Sequence, residues 1–179
     1  MKKEHPQKAK SKQWIVNSLL ELMAEKDYQS ITIKELTQKA DLDRKTFYRH
    51  FSTKEEVLYI PLNEICQCYL KSLRELTVLS SYTVTEAFFI LCIEHMTFFD
   101  LLLNNNLYSL LLDLFEQYLS ELNEIFADTT IYRYKNTYEL TYQAGGFWNI
   151  TKQWISAGAK ESPQKMALFI SEIMPPATE

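Results

Sequence analysis

The chain has 179 residues, 46% of them hydrophobic, with only three glycines and five prolines. Such a chain buries a core without a disulfide or metal, and the scarcity of breakers excludes a turn-rich all-β fold and a disordered one. The net charge of −4 divides into +3 over residues 1–60 (12 Lys+Arg, 9 Asp+Glu) and −7 over residues 61–179 (7 and 14), so the acidic total does not exclude a polyanionic partner for the front end.

The first twelve residues hold five lysines and one glutamate and read as a mobile basic arm. No apolar run of the kind that makes a secretory leader follows it. Ile15, Leu19, Leu22 and Met23 fall at i, i+4, i+7 and i+8, a helix with one apolar face that should stop near Asp27. Thr32 and Glu35 form a T-x-x-E capping box, stapled by Ile31 and Leu36, for a second helix running to about Lys39. Ala40-Asp41-Leu42 is long enough only for a tight turn. Asp43 caps a third helix, with Leu42 and Phe47 as its staple and Phe47 and Phe51 pointing inward. Ser52 or Thr53 opens a fourth helix, since each has a Glu three residues later; Pro61 should kink or interrupt it. Residues 9–60 therefore read helix, helix, short turn, short helix, helix. A pair so joined is a helix-turn-helix, whose second helix enters the DNA major groove.

Residues 62–78 continue the fourth helix. They carry Cys66 and Cys68, which lie on nearly opposite helix faces; with Cys92 the count is odd, and a reduced, cytoplasmic protein is expected. Residues 84–103 form a densely apolar helix. Its AFFILCIEHMTFFDLLL run is broken by Glu94, His95 and Asp100, so no membrane span is expected. After the Asn104-Asn105-Asn106 break come helices over 107–126 and 131–157. Ser162-Pro163 then starts a last helix with Met166, Phe169, Ile170 and Ile173 on one face. The fold class is all-α: residues 1–60 form an N-terminal three-helix helix-turn-helix DNA-binding domain with a basic arm, and residues 61–179 a second, all-helical domain.

The third helix carries the chemistry. Opposite Phe47 and Phe51 it exposes Arg44, Lys45, Thr46, Tyr48 and Arg49. Arginine or lysine pairs with guanine O6 and N7, and threonine touches a thymine methyl. Thr32 and Lys54 sit at helix starts, where free backbone N–H groups and the helix dipole favour a phosphate. A run of cations is usually a solvated face. Here it is anchored by aromatics and framed by two staples, a capping box and a turn of the right length, which favours nucleic acid. His95 reads as a core or pocket histidine rather than a metal ligand, because no second ligand has suitable spacing. No metal or cofactor is expected. No Gly-rich phosphate loop, nucleophile–base pair or carboxylate cluster points to an enzyme.

The stretch SITIKELTQKADLDRKTFYRHFSTKEEVLY strongly resembles the helix-turn-helix segment of the TetR family of bacterial transcriptional regulators, through Thr32, Ala40, the T-F-Y-R-H-F run and the following K-E-E. Two positions depart from the family pattern: Asp41 stands where glycine is common, and Lys45 where a small residue is common. The tail YQAGGFWNITKQWISAGAKESPQKMALFI resembles one C-terminal subclass, with regulators of dihydroxyacetone kinase among its relatives. The resemblance implies that Tyr48 and His50 donate to the phosphate backbone. It also implies that the middle helices surround an effector pocket, with Phe88, His95, Phe99, Tyr108, Phe115, Tyr142 and Trp148 as lining candidates. The last two helices would then form the dimer bundle, through Tyr138, Gly145, Trp148, Met166, Phe169, Ile170 and Ile173. The mid-helix Gly145-Gly146 pair independently suggests close helix approach or a kink. The reading is a homodimeric, sequence-specific regulator, a repressor, on a palindromic double-stranded DNA operator, released by a small-molecule effector. The alternative keeps the DNA head but places the body under a protein partner, with no ligand pocket.

Overall fold

The computed structural model describes residues 6–127, 129 and 137–173, except for the side chains of 6–8, 115, 116, 119, 120, 123, 137 and 140. Among the described residues there are nine α-helices and no strand. They are α1 (Pro6–Glu25), α2 (Ile33–Lys39), α3 (Arg44–His50), α4 (Lys54–Glu75), α5 (Ser81–Glu94), α6 (Met96–Asn104), α7 (Ser109–Phe126), α8 (Thr137–Ser156) and α9 (Pro163–Ile173). A 3₁₀ turn, Tyr28–Ser30, joins α1 to α2. The all-α expectation holds.

Side-chain caps start the helices of the head. Thr32 and Glu35 make the reciprocal box at α2. Asp43 Oδ1 accepts from Thr46 N–H at 2.6 Å, and Thr53 Oγ1 accepts from Glu56 N–H at 3.3 Å. The turn after α2 is a left-handed cap: Asp41 has φ 53°, and Leu42 N–H donates to Thr37 C=O at 2.9 Å. Aspartate tolerates this conformation better than most residues, which is why the turn survives without glycine. The same cap ends α6, where Asn106 has φ 57° and Leu107 N–H reaches Leu102 C=O at 2.8 Å.

Three expectations need correction. Residues 6–12 belong to α1 rather than to a mobile arm, and residues 1–5 lie outside the described residues. Helix α4 passes through Pro61 without interruption. The proline leaves the Val57 carbonyl without its helical donor, but Val57, Leu58, Leu62 and Ile65 are buried on both sides and hold the helix to the core. The apolar stretch 84–103 is two helices: at His95 the backbone turns to φ −115°, ψ 23°, ending α5 and starting α6. The 3₁₀ turn was not foreseen. The first part of the expected 131–157 helix, through residue 136, lies outside the described residues.

One hydrophobic cluster runs through the molecule, from Ile15, Leu19, Leu36 and Phe47 at the front to Phe88, Leu102 and Trp148 behind. Helix α1 packs on α2, α4 and α6, and α5 packs along α9. The boundary drawn at residue 60 falls inside α4.

The capping box also sets an acid response. Glu35 accepts from Lys26 Nζ at 2.6 Å, from Thr32 N–H at 2.9 Å and from Thr32 Oγ1–H at 2.8 Å. These bonds, the Lys26 one foremost, pull its carboxyl from the usual 4.5 to about 2. A carboxylate whose folded value lies below its unfolded one stabilises the fold above the unfolded value, and that contribution disappears as pH falls towards the folded value. Melting temperature should therefore fall more steeply between pH 4.5 and about 2 in the wild type than in Glu35→Gln. Parallel slopes in circular-dichroism melts across that window would remove Glu35 from the acid response.

Candidate nucleic-acid interface

Helix α3 is held from below. The Phe47 side chain is wholly buried, Phe51 nearly so, and their ring centroids are 5.8 Å apart. The outer face presents Arg44, Lys45, Tyr48 and Arg49, all exposed, with Thr46 half-buried beside them. Tyr48 is 60% exposed and rests edge-on against Phe47 at 5.4 Å. Among the described residues, no ion pair or side-chain hydrogen bond restrains Arg44, Lys45 or Arg49. Lys26 and Lys39, by contrast, are paired, the first with Glu35 and the second with Glu21 and Glu25 at 3.3 and 2.8 Å. Lys26 and Lys39 are thus ion-paired, whereas among the described residues Arg44, Lys45 and Arg49 make no ion pair and Lys45 and Arg49 feel only the nearby Asp43 carboxylate, so α3 offers a polyanion both charge and bidentate donors. The Asp43 cap sits at the start of this face, its carboxyl held below the usual range mainly by the Thr46 N–H bond and also by Arg49 and Lys45.

The remaining predicted contacts are arranged differently. Thr32 is exposed at the start of α2, but its hydroxyl proton is given to Glu35. His50 is half-buried, with Nε2 2.7 Å from Ser11 Oγ, tying the end of α3 to α1. Lys54 is turned inward. Its ammonium donates to Tyr28 C=O at 2.8 Å and Ile31 C=O at 2.6 Å, and lies 4.3 Å from the centre of the Tyr28 ring. Burial lowers its pKa. The helix-start position suggests a phosphate contact; in the protomer two carbonyls and an aromatic face converge on this ammonium.

Lys54→Met should therefore act on stability first. It leaves two carbonyls without their charged donor, at a cost of about 1.5–3 kcal/mol, or a melting-temperature drop of about 3–12 °C. The slope of log affinity for DNA against log salt should stay as in the wild type. A slope smaller by about 1 would put Lys54 on a phosphate after all.

In the body, Phe88 packs on Phe147 at 4.9 Å and on Trp148 at 5.6 Å, and Tyr108 meets Trp148 at 6.2 Å. Phe99 is buried, and His95 is half-buried at the α5–α6 joint. Tyr142 does not join them: it is 82% exposed on α8, because the aromatic stripe of that helix covers more than one face. The side chain of Phe115 lies outside the described residues. The dimer candidates divide as well. Tyr138 (86%), Phe169 (45%) and Ile173 (48%) are exposed. A methyl group at Gly145 would meet nothing within 4 Å in the protomer. Trp148, Met166 and Ile170 are buried in the protomer's own core instead.

Tyr28, Ser11 and Asn105, which brace the head, were not singled out from the sequence. The Asn104-Asn105-Asn106 string signals a helix end, but nothing local signals that Asn105 bonds Tyr28, 77 residues away.

A family model described as bacterial regulatory proteins, tetR family, matches residues 15–59, and one described as transcriptional regulator C-terminal region matches residues 80–176. The uncharacterized HTH-type transcriptional regulator YxbF of Bacillus subtilis (strain 168) is 30% identical over 79 residues, 44% of this chain and 21% of that protein. The HTH-type transcriptional regulator TcmR of Streptomyces glaucescens is 30% identical over 59 residues, 33% of this chain and 26% of that protein. The matches thus span about a quarter or less of those relatives' lengths. The solved structure of the fatty acid degradation regulator FadR from Bacillus halodurans superposes with a TM-score of 0.64 over 97% of this chain and 96% of that one. At 15% identity, that likeness establishes a shared fold.

Proposed function

The chain belongs to the TetR family of bacterial regulatory proteins, and from that premise we propose that it regulates transcription as a homodimer bound to a palindromic operator. It represses from that operator and is released by a small molecule held in the body. The observation that carries the DNA reading is the outer face of α3, where Arg44, Lys45 and Arg49 stand exposed and make no ion pair among the described residues, above a wholly buried Phe47. Arg44, Lys45, Thr46 and Arg49 read base edges or adjacent phosphates; Tyr48, His50 and the backbone at Thr32 secure the phosphate backbone.

The dimer reading rests on the exposed apolar side chains Tyr138, Phe169 and Ile173 and on the open space at Gly145. A twofold axis there presents two copies of α3 to two half-sites of an inverted repeat. The effector reading rests on Tyr108: its hydroxyl is buried with no hydrogen-bond partner among the described residues, beside Trp148. A ligand that binds the DNA-incompetent arrangement better shifts the protein towards it. The kinship of the tail with the subclass that includes regulators of dihydroxyacetone kinase belongs to the same proposal and leaves the ligand's chemistry open. A site of action on DNA puts the protein in the cytoplasm, and among the described residues no helix is long and apolar enough to cross a membrane.

A second reading, control by a protein partner with no ligand pocket, is favoured by how closely Phe88, Phe147 and Trp148 fill the space between them. Sedimentation of the full chain at micromolar concentration tests the assembly. Twice the 21.1 kDa of one chain is expected for the protein alone, and that mass plus the duplex's when bound. A monomer in both states would overturn the homodimer.

A further inference from the structure

The side chain of Asn105 is buried where α6 ends against the head, and every polar group on it is used. Its Oδ1 accepts from Tyr28 N–H at 2.7 Å, and its Nδ2 donates to Leu101 C=O at 2.9 Å and, more weakly, to Met23 C=O at 3.4 Å. The partners define the amide's orientation, since an N–H only donates and a carbonyl only accepts. Met23 lies in the last turn of α1, so its carbonyl is one of the four that the helix itself leaves unpaired. The carbonyl of Tyr28 is held in turn by Lys54 of α4. A residue of the body thus fastens the end of α1, the 3₁₀ turn and, through Tyr28, the start of α4.

Among the described residues, another hydrogen bond between head and body, from Tyr59 Oη–H to Asp113 Oδ2, is long at 3.5 Å and exposed to solvent. Helix α4 passes between them through Pro61, which removes a hydrogen bond from its interior. The packing of α1 on α6 is apolar, and apolar contact is non-directional. Buried hydrogen bonds constrain direction and are costly to leave unmade. Asn105 supplies buried hydrogen bonds between head and body, to Tyr28 N–H and to Met23 C=O. A tilt of about 10° across a head roughly 20 Å wide moves its far side by about 3.5 Å, close to one base-pair step.

We propose that Asn105 is a specificity-determining positioning residue: by seating the head on the body it sets the half-site spacing that the dimer accepts. The inference rests on the proposed reading of the chain as a dimeric operator binder.

The test uses the full-length wild type, Asn105→Ala and the milder Asn105→Ser, which keeps a short acceptor for Tyr28 N–H. Each is titrated with duplexes carrying the wild type's selected inverted repeat at its own spacing, with the spacer one or two base pairs shorter or longer, and with a single half-site. Folding is checked by circular dichroism. The wild type should prefer one spacing by about tenfold or more. The variants should bind the single half-site as the wild type does, with that preference reduced by at least about threefold. A folded variant that keeps the full wild-type preference overturns the inference, however much its melting temperature falls. A wild type that prefers no inverted repeat overturns the underlying reading instead, and the inference with it.

Discussion

Replacing Phe47 with alanine should lower the melting temperature by about 6–20 °C, and DNA binding should be lost at temperatures where the wild type still binds. Phe47 is wholly buried, belongs to the hydrophobic cluster that runs from head to body, and supports both Tyr48 and Phe51. Truncating such a side chain costs about 3–5 kcal/mol. For a chain of this length each kcal/mol is worth about 2–4 °C. The total is a large fraction of a typical stability. The loss of binding follows because α3 is only seven residues long and cannot persist without its packing. Calorimetry or a circular-dichroism melt reads the first part, and duplex titration at two temperatures the second. A shift under 2 °C would mean that Phe47 is not the anchor of α3.

Replacing Arg44 with alanine should do the reverse, leaving stability within about 0.5 kcal/mol of wild type while binding to the selected operator falls. Arg44 opens α3 on its exposed face and has no partner in the protomer to lose. A bidentate contact to a base is worth about 1–3 kcal/mol, roughly 5- to 150-fold in affinity per half-site. The sequence preference should relax at one base pair in each half-site, whereas Tyr48→Phe should weaken binding to all sequences alike. Equal losses on specific and random duplexes would move Arg44 from base reading to phosphate positioning.

The head was legible in the sequence because its determinants are local. Thr32 with Glu35 and Asp43 with Thr46 act over three residues, and Asp41 sets the turn between them. The inward phase of Phe47 and Phe51 then leaves only one face for Arg44, Lys45, Tyr48 and Arg49. The body was less legible. The stretches on both sides of Glu94-His95 are apolar, and no glycine or proline marks the joint, so α5 and α6 read as one helix. The spacing of Met166, Phe169, Ile170 and Ile173 reads as one face of α9, but the structure divides that stripe: Met166 and Ile170 face the protomer's core while Phe169 and Ile173 are exposed. Lys54 shows the same limit inside the head. Its position at a helix start suggests a phosphate, but its partners are carbonyls 23 and 26 residues earlier in the chain, which no local pattern encodes. Asn105 is the extreme case, a helix-end asparagine whose role depends on Tyr28 and Met23 being folded against it.

The most direct test of the central claim is selection of bound duplexes from a random library by the full chain at moderate salt, followed by sequencing of the enriched pool. The expected result is an inverted repeat whose half-sites lie a turn of DNA or more apart, with the enrichment lost when Arg44→Ala and Lys45→Ala are combined. A pool that stays random, with only weak binding that salt abolishes, would contradict the claim and leave the cations of α3 as a solvated face.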